Sequence, residues 1–236
     1  MKKLYEKNEL FFALAWILIY CSVGGTLRDT FGEESLWLCL GLAGISACLA
    51  VFIKQNGLED KYGLSGWPSD WKPYLYFIPM WIIATGNLWG GIRMNYSGTA
   101  QVFAMLSMAL VGYAEELIFR GLLFKALLKG NGPKYAVIIT ALTFGIGHIV
   151  NLLSGQTTIE TMIQIPFAIT WGFVFTMVFH KSGSLLPGIT AHALIDVFST
   201  FAVDSPVSTW GYMIAVIIIG PVYCLYLKNI KSKGQL

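Results

Sequence analysis

Glu115, Glu116 and Arg120 lie between Gly112 and Gly121, in G-Y-A-E-E-L-I-F-R-G, a stretch otherwise apolar enough to be buried in lipid. A charge inside a membrane span costs roughly 2.5 to 3.5 kcal/mol on insertion scales, so such residues face the interior of a helix bundle and mark a functional pathway. Glu116 and Arg120 are four residues apart, close enough on a helix to neutralise each other. Glu115 is turned about 100° from Glu116 and has no partner of its own in the segment. A carboxylate left over in this way is suited to proton transfer, and the pair beside it reads as structural support.

Two further motifs carry ionisable groups within apolar stretches: Phe144 to His148 (F-G-I-G-H) and His192 to Asp196 (H-A-L-I-D). Phe144 with His148, and His192 with Asp196, are one helical turn apart and share a face. Alone, either histidine reads as a core residue, but Glu115 and His148 each lie 14 residues from the lysines of one short connection, Lys129 and Lys134. Antiparallel helices would then set them at one depth, with His192 within about a turn of it. Gly112, Gly121, Gly145 and Gly147 flank these groups and would permit close helix approach. Two chemistries fit such a cavity. Glu115, His148 and His192 could furnish three zinc ligands with an open water position, although no H-E-x-x-H helix is present. A glutamate activating water without a metal is equally allowed.

The elements that must position these residues follow from composition. The 236 residues are 56% hydrophobic and 12% charged, with mean hydropathy +0.63, whereas soluble domains are about 25% charged. The expected fold is therefore all-α: a single integral membrane domain over residues 1–236 with a polar intramembrane cavity. Uncharged stretches of spanning length run from Leu10 to Leu27, Ser35 to Ile53, Tyr74 to Ile92, about Ser97 toward Leu128, Tyr135 to Leu153, Met162 to Phe179, Leu185 to Val203 and Trp210 to Leu227, which predicts about eight helices. Pro79, Pro166 and Pro221 fall inside spans, and Asn131-Gly132-Pro133 and Ser182-Gly183-Ser184 read as tight turns. Cys21, Cys39, Cys48 and Cys224 have no metal-type spacing and imply no disulfide framework.

Lysines occupy alternate connections: Lys2, Lys3 and Lys7, then Lys54, Lys61 and Lys72, then Lys129 and Lys134, then Lys181, then Lys228, Lys231 and Lys233. Arg28, Arg93, Asp29, Glu33, Glu34, Glu160 and Asp204 fall in the others. The positive-inside rule then places both termini in the cytoplasm. Trp67 and Trp71, in the connection from Lys54 to Lys72, read as interfacial. A net charge of +3 spread over loops gives no footprint for nucleic acid.

E-E-L-I-F-R at Glu115 to Arg120, F-G-I-G-H at Phe144 to His148, and H-A-L-I-D at His192 to Asp196 resemble the three ordered motifs of the CPBP family, which contains the type II CAAX prenyl endopeptidases and bacteriocin-processing or immunity proteins of the Abi type. The resemblance places the catalytic core at residues 97–203. It implies an intramembrane endopeptidase, with a peptide or membrane-anchored protein as substrate and the lipid bilayer as its setting, in a bacterial plasma membrane. Glu115 and His148 would activate water, while His192 and residue 196 would bind the oxyanion. Position 196, commonly asparagine in the family's CAAX endopeptidases, is aspartate here, and an ionised aspartate accepts but does not donate. The competing reading is a non-catalytic bacteriocin self-immunity protein; a transporter ranks lower, since the two halves show no repeat.

Overall fold

The computed structural model describes residues 1–68, 77–154, 156–203 and 205–230. Trp71, Lys72, Tyr74, Asp204, Lys231 and Lys233 lie outside these residues. The described chain is helical, and strand-like pairing among the described residues is confined to one bridge between Ile92 and Ala202. The helices are α1 (Lys2–Lys7), α2 (Glu9–Phe31), α3 (Leu36–Gln55), α4 (Phe77–Ala84), α5 (Thr99–Glu115), α6 (Lys125–Gly147), α7 (Thr158–Ser182), α8 (Leu186–Ser199) and α9 (Pro206–Lys228).

Local chemistry sets their ends. The side chain of Asn8 accepts from the Phe11 N–H at 2.9 Å and that of Ser35 from the Leu38 N–H at 3.1 Å, satisfying donors that a helix start leaves free. Thr157 and Glu160 form a reciprocal capping box at the start of α7. Glu160 is therefore a helix cap as well as a loop charge. Gly183 ends α7 in the left-handed region, at φ 71°.

Five described helical stretches are long and apolar enough to cross a membrane: Glu9–Phe31, Leu36–Gln55, Thr99–Leu152, Thr158–Ser182 and Pro206–Lys228. The molecule is an integral membrane protein, and the difference from eight has physical reasons. The expected fourth and fifth spans form one 54-residue helical stretch, broken at Gly132, whose φ of 77° and ψ of 171° no helix contains. That break coincides with the turn expected at Asn131-Gly132-Pro133. The expected third and seventh spans are represented by the shorter apolar helices Ile78–Leu88 and Leu186–Ser199. The latter, with 14 residues, rises about 21 Å at 1.5 Å per residue, below the roughly 30 Å of a bilayer core. The long helices also carry apolar residues on their outer faces, such as Leu18 on α2, Trp37 on α3 and Val222 on α9, as lipid contact requires.

Two poles are tied by polar contacts. At one, Glu9 pairs with both Lys61 and Lys129, and Lys61 also donates to the Tyr5 hydroxyl. The 63–66 segment docks there on the turn between α7 and α8, through Leu185 N–H to the Gly63 carbonyl at 2.8 Å and Ser184 Oγ to the Gly66 carbonyl at 2.7 Å. At the other, Arg93 N–H donates to the Phe201 carbonyl at 2.9 Å, and Asn95 and Gln101 reach backbone oxygens at the end of α8. Lysines from two connections that were expected on one side, Lys61 and Lys129, thus share one pole with α1.

Small residues bring the central helices together. A Cβ on Gly112 would lie 2.5 Å from the Ala193 nitrogen, so α5 and α8 touch backbone to backbone, and one on Gly145 would lie 2.7 Å from the Ile169 nitrogen of α7. Gly121 is looser and Gly147 faces open space, so of the four glycines only two serve the close approach expected of them. Gly112→Val should accordingly lower stability by about 1 to 3 kcal/mol through overpacking, whereas Gly147→Ala should not lower it. Thermal unfolding of the two variants in detergent checks the contrast.

Candidate active site

After Glu115 the helix widens: Glu116–Phe124 is π-helical, and all nine of its residues are buried. Such segments are rare and occur often at functional sites. The widening begins between the two glutamates and sends them to different partners. The Glu116 Oε1 atom lies 2.9 Å from Arg120 Nη1 and accepts from His192 Nδ1–H at 2.9 Å. Both Glu116 and Arg120 are wholly buried. Gly188 makes room for this carboxylate, because a Cβ there would come within 3.0 Å of Oε2.

The Arg120 guanidinium is held from its other sides by rings, 4.0 Å from the centroid of Phe144 and 5.5 Å from that of Phe175. None of its nitrogens makes a well-angled hydrogen bond, so its stabilisation comes from the ion pair and from the negative ring faces. Arg120 thus supports the site, as its spacing to Glu116 indicates.

Glu115 reaches outward. Its Oε1 accepts a 2.8 Å hydrogen bond from the Tyr20 hydroxyl of α2, and its Oε2 lies 3.6 Å from His192 Nε2. Asp196 Oδ2 lies 3.5 Å from the same Nε2. His192 is therefore the meeting point: Nδ1 is fixed by Glu116, Nε2 faces Glu115 and Asp196, and the ring stacks on Phe175 at 5.4 Å with an interplanar angle of 24°. The turn shared by His192 and Asp196 is present as expected. The nitrogen that meets Asp196 is also the one that meets Glu115, while the opposite nitrogen is taken by Glu116.

His148 takes a separate position. It is the first residue beyond α6, where the backbone tightens into the 3₁₀ segment His148–Ser154. Its Nδ1–H donates to the Phe144 carbonyl at 3.0 Å, which leaves Nε2 as the ring nitrogen available to another group. No hydrogen bond or ion pair joins it to Glu115 among the described residues. Instead the Phe144 ring lies against both histidines, at 5.2 Å from His148 and 5.7 Å from His192. His148, His192 and Asp196 together line a cavity of about 80 Å³, with Gln164 as a further polar wall and Phe144, Trp171 and Phe175 among the apolar ones. That is room for a few water molecules.

Two participants, Tyr20 and Gln164, and one contact of Glu116 were not read from the sequence. Tyr20 sits in a first span without a motif, and nothing in its neighbours marks it. Gln164 is held by Asn151 Nδ2–H donating to its Oε1 at 2.9 Å; a polar residue within an apolar stretch was the available signal. Glu116 was paired with Arg120 alone, although convergence of the motifs allowed it a second partner. For a metal, the donors are poorly disposed: both His192 nitrogens face carboxylates, His148 stands apart from Glu115, and among the described residues no group of three or more His, Cys, Asp and Glu side chains could hold an ion. Glu115, His148 and His192 do not fit a three-ligand zinc site in this arrangement.

The chain between the loop before α5 and the end of α8 contains every one of the motif residues. Residues 97–198 match the family described as type II CAAX prenyl endopeptidase Rce1-like. The match is consistent with the CPBP resemblance and begins and ends with the elements that enclose the Glu116–His192 contact. An uncharacterised protein of Bacillus subtilis, YyaK, is 28% identical over 109 residues, which cover 46% of this chain and 36% of that relative. The chain thus spans about a third of the length of the curated relative it matches. No solved structure matches.

Because Glu116 and Arg120 are buried together, removing one partner leaves the other uncompensated. Arg120→Met should cost about 3 to 5 kcal/mol, and combining it with Glu116→Gln should recover a substantial part of that loss. Unfolding midpoints of the single and double variants provide the check.

Proposed function

We propose that this protein is an intramembrane endopeptidase that hydrolyses membrane-associated peptides, with prenylated CAAX-type carboxyl termini as the substrate class the family match favours. The observation that carries the reading is Glu115, held by Tyr20 and 3.6 Å from His192, which itself lines a small cavity with His148 and Asp196. The match of residues 97–198 to the Rce1-like endopeptidases supports it.

In this mechanism a water in the cavity is deprotonated by the Glu115 carboxylate, with His148 Nε2 accepting a hydrogen bond that orients it. The water oxygen bonds to the scissile carbonyl carbon, and the carbonyl becomes an oxyanion. His192, directed by Glu116 through Nδ1, presents Nε2 toward the reacting centre, and Asp196 beside it holds the ring. When the tetrahedral intermediate collapses, the C–N bond breaks and the proton taken by Glu115 passes to the departing amine. One water is consumed for each bond cleaved, leaving a carboxylic acid and an amine. An apolar, water-poor surrounding strengthens these charge interactions beyond their value in bulk water.

A carboxylate-driven, metal-free step is the form best supported by the donor geometry, so cleavage should persist after chelation. A second reading, self-immunity through partner binding, shares the fold but gives no reason for a water-sized cavity walled by two histidines and an aspartate. Incubation of purified protein with prenylated and unprenylated CAAX peptides, followed by mass spectrometry, should reveal released carboxyl-terminal fragments. Glu115→Gln should keep the fold but slow cleavage at least about a hundredfold, the scale of general-base catalysis. Near-normal turnover by that variant would remove Glu115 from the water-activating role.

A further inference from the structure

Resting on the endopeptidase reading, the geometry points to Tyr20 as a positioning residue for the general base, contributed by a helix outside the matched segment. α2 spans Glu9–Phe31, whereas the family match begins at residue 97. The Tyr20 hydroxyl is nevertheless the group hydrogen-bonded to Glu115, at 2.8 Å from Oε1, across 95 residues of sequence. The tyrosine is 9% exposed, and its neighbour one turn earlier, Trp16, is likewise buried.

The direction of this bond matters. An ionised carboxylate only accepts, so the phenol donates. Its single proton is thereby committed to Oε1, and that oxygen becomes the anchored one. Oε2, 3.6 Å from His192 Nε2, is left as the oxygen that takes the proton from water and later returns it. Tyr20 thus selects which carboxylate oxygen reacts and fixes its rotation toward His192.

Among the described residues, Glu115 has no other hydrogen-bond donor to supply that restraint. Arg120 is directed to Glu116, His148 is bonded to its own helix, and the His192 contact is longer than a hydrogen bond. A hydrogen bond to a charged group has a larger effect than one between neutral groups, and a misaligned general base loses rate steeply.

The test compares Tyr20→Phe with the unaltered protein and with Phe12→Leu, a packing change on the same helix, in a CAAX peptide cleavage assay normalised to folded, monodisperse protein. Tyr20→Phe keeps the ring and deletes only the donor. It should lower kcat roughly ten- to a hundredfold with KM unchanged, while Phe12→Leu lowers the unfolding midpoint and leaves kcat in place. Equal kcat for Tyr20→Phe and the unaltered protein overturns the inference while sparing the endopeptidase reading. A rise in KM alone, or a parallel fall of kcat in Phe12→Leu, also overturns it, since either makes Tyr20 a packing residue. If the unaltered protein cleaves none of the peptides, the endopeptidase reading fails and this assignment falls with it.

Discussion

A guanidinium and a carboxylate buried in an apolar helix bundle are tolerated only when their charges are paired, and Glu116 and Arg120 are paired at 2.9 Å with no exposed surface on either. The rest of the site depends on this pair. Because Arg120 meets Glu116 Oε1, that oxygen is fixed where it also receives His192 Nδ1–H. Because Phe144 and Phe175 enclose the guanidinium, they also pack against the His192 ring. A charge-neutralising contact therefore sets the rotation of the imidazole that faces Glu115 and Asp196.

The backbone makes this arrangement reachable. Gly112 lets α5 and α8 approach until backbone atoms touch, bringing the turn that holds His192 against the turn that holds the glutamates. The π-helical widening that follows immediately then separates the paths of two consecutive carboxylates. Stability and chemistry are linked here through one close helix crossing.

Much of this was legible in the sequence, for definite reasons. An ionisable residue in an apolar stretch is conspicuous, so Glu115, Glu116, Arg120, His148, His192 and Asp196 could be singled out, and four-residue spacing gave the Glu116–Arg120 and His192–Asp196 pairs. Lysine alternation indicated which connections share a pole, and Glu9 now joins Lys61 to Lys129 there. Distances between helices were less legible. Equal spacing from one connection predicts a shared depth for Glu115 and His148, but depth says nothing of rotation, and His148 is bonded to its own helix at Phe144, with no hydrogen bond or ion pair to Glu115 among the described residues. Tyr20 escaped notice because a tyrosine in a span looks like any interfacial or packing aromatic until its hydroxyl is seen against a carboxylate. The helix count diverged because apolar composition marks burial in lipid or protein equally, and α8 is short, as a helix enclosed by α5, α7 and α4 can be.

The proposed hydrolysis of a peptide bond at this buried cluster leaves a mark in its products. It is tested most directly by cleaving a defined CAAX peptide in water enriched in heavy oxygen and weighing both fragments. Hydrolysis at Glu115 predicts one heavy oxygen in the newly formed carboxylate of the amino-terminal fragment, none in the released carboxyl-terminal peptide, and loss of the labelled product in Glu115→Gln. Intact peptide after prolonged incubation with the folded protein, or labelled product that forms equally well without Glu115, would contradict the account.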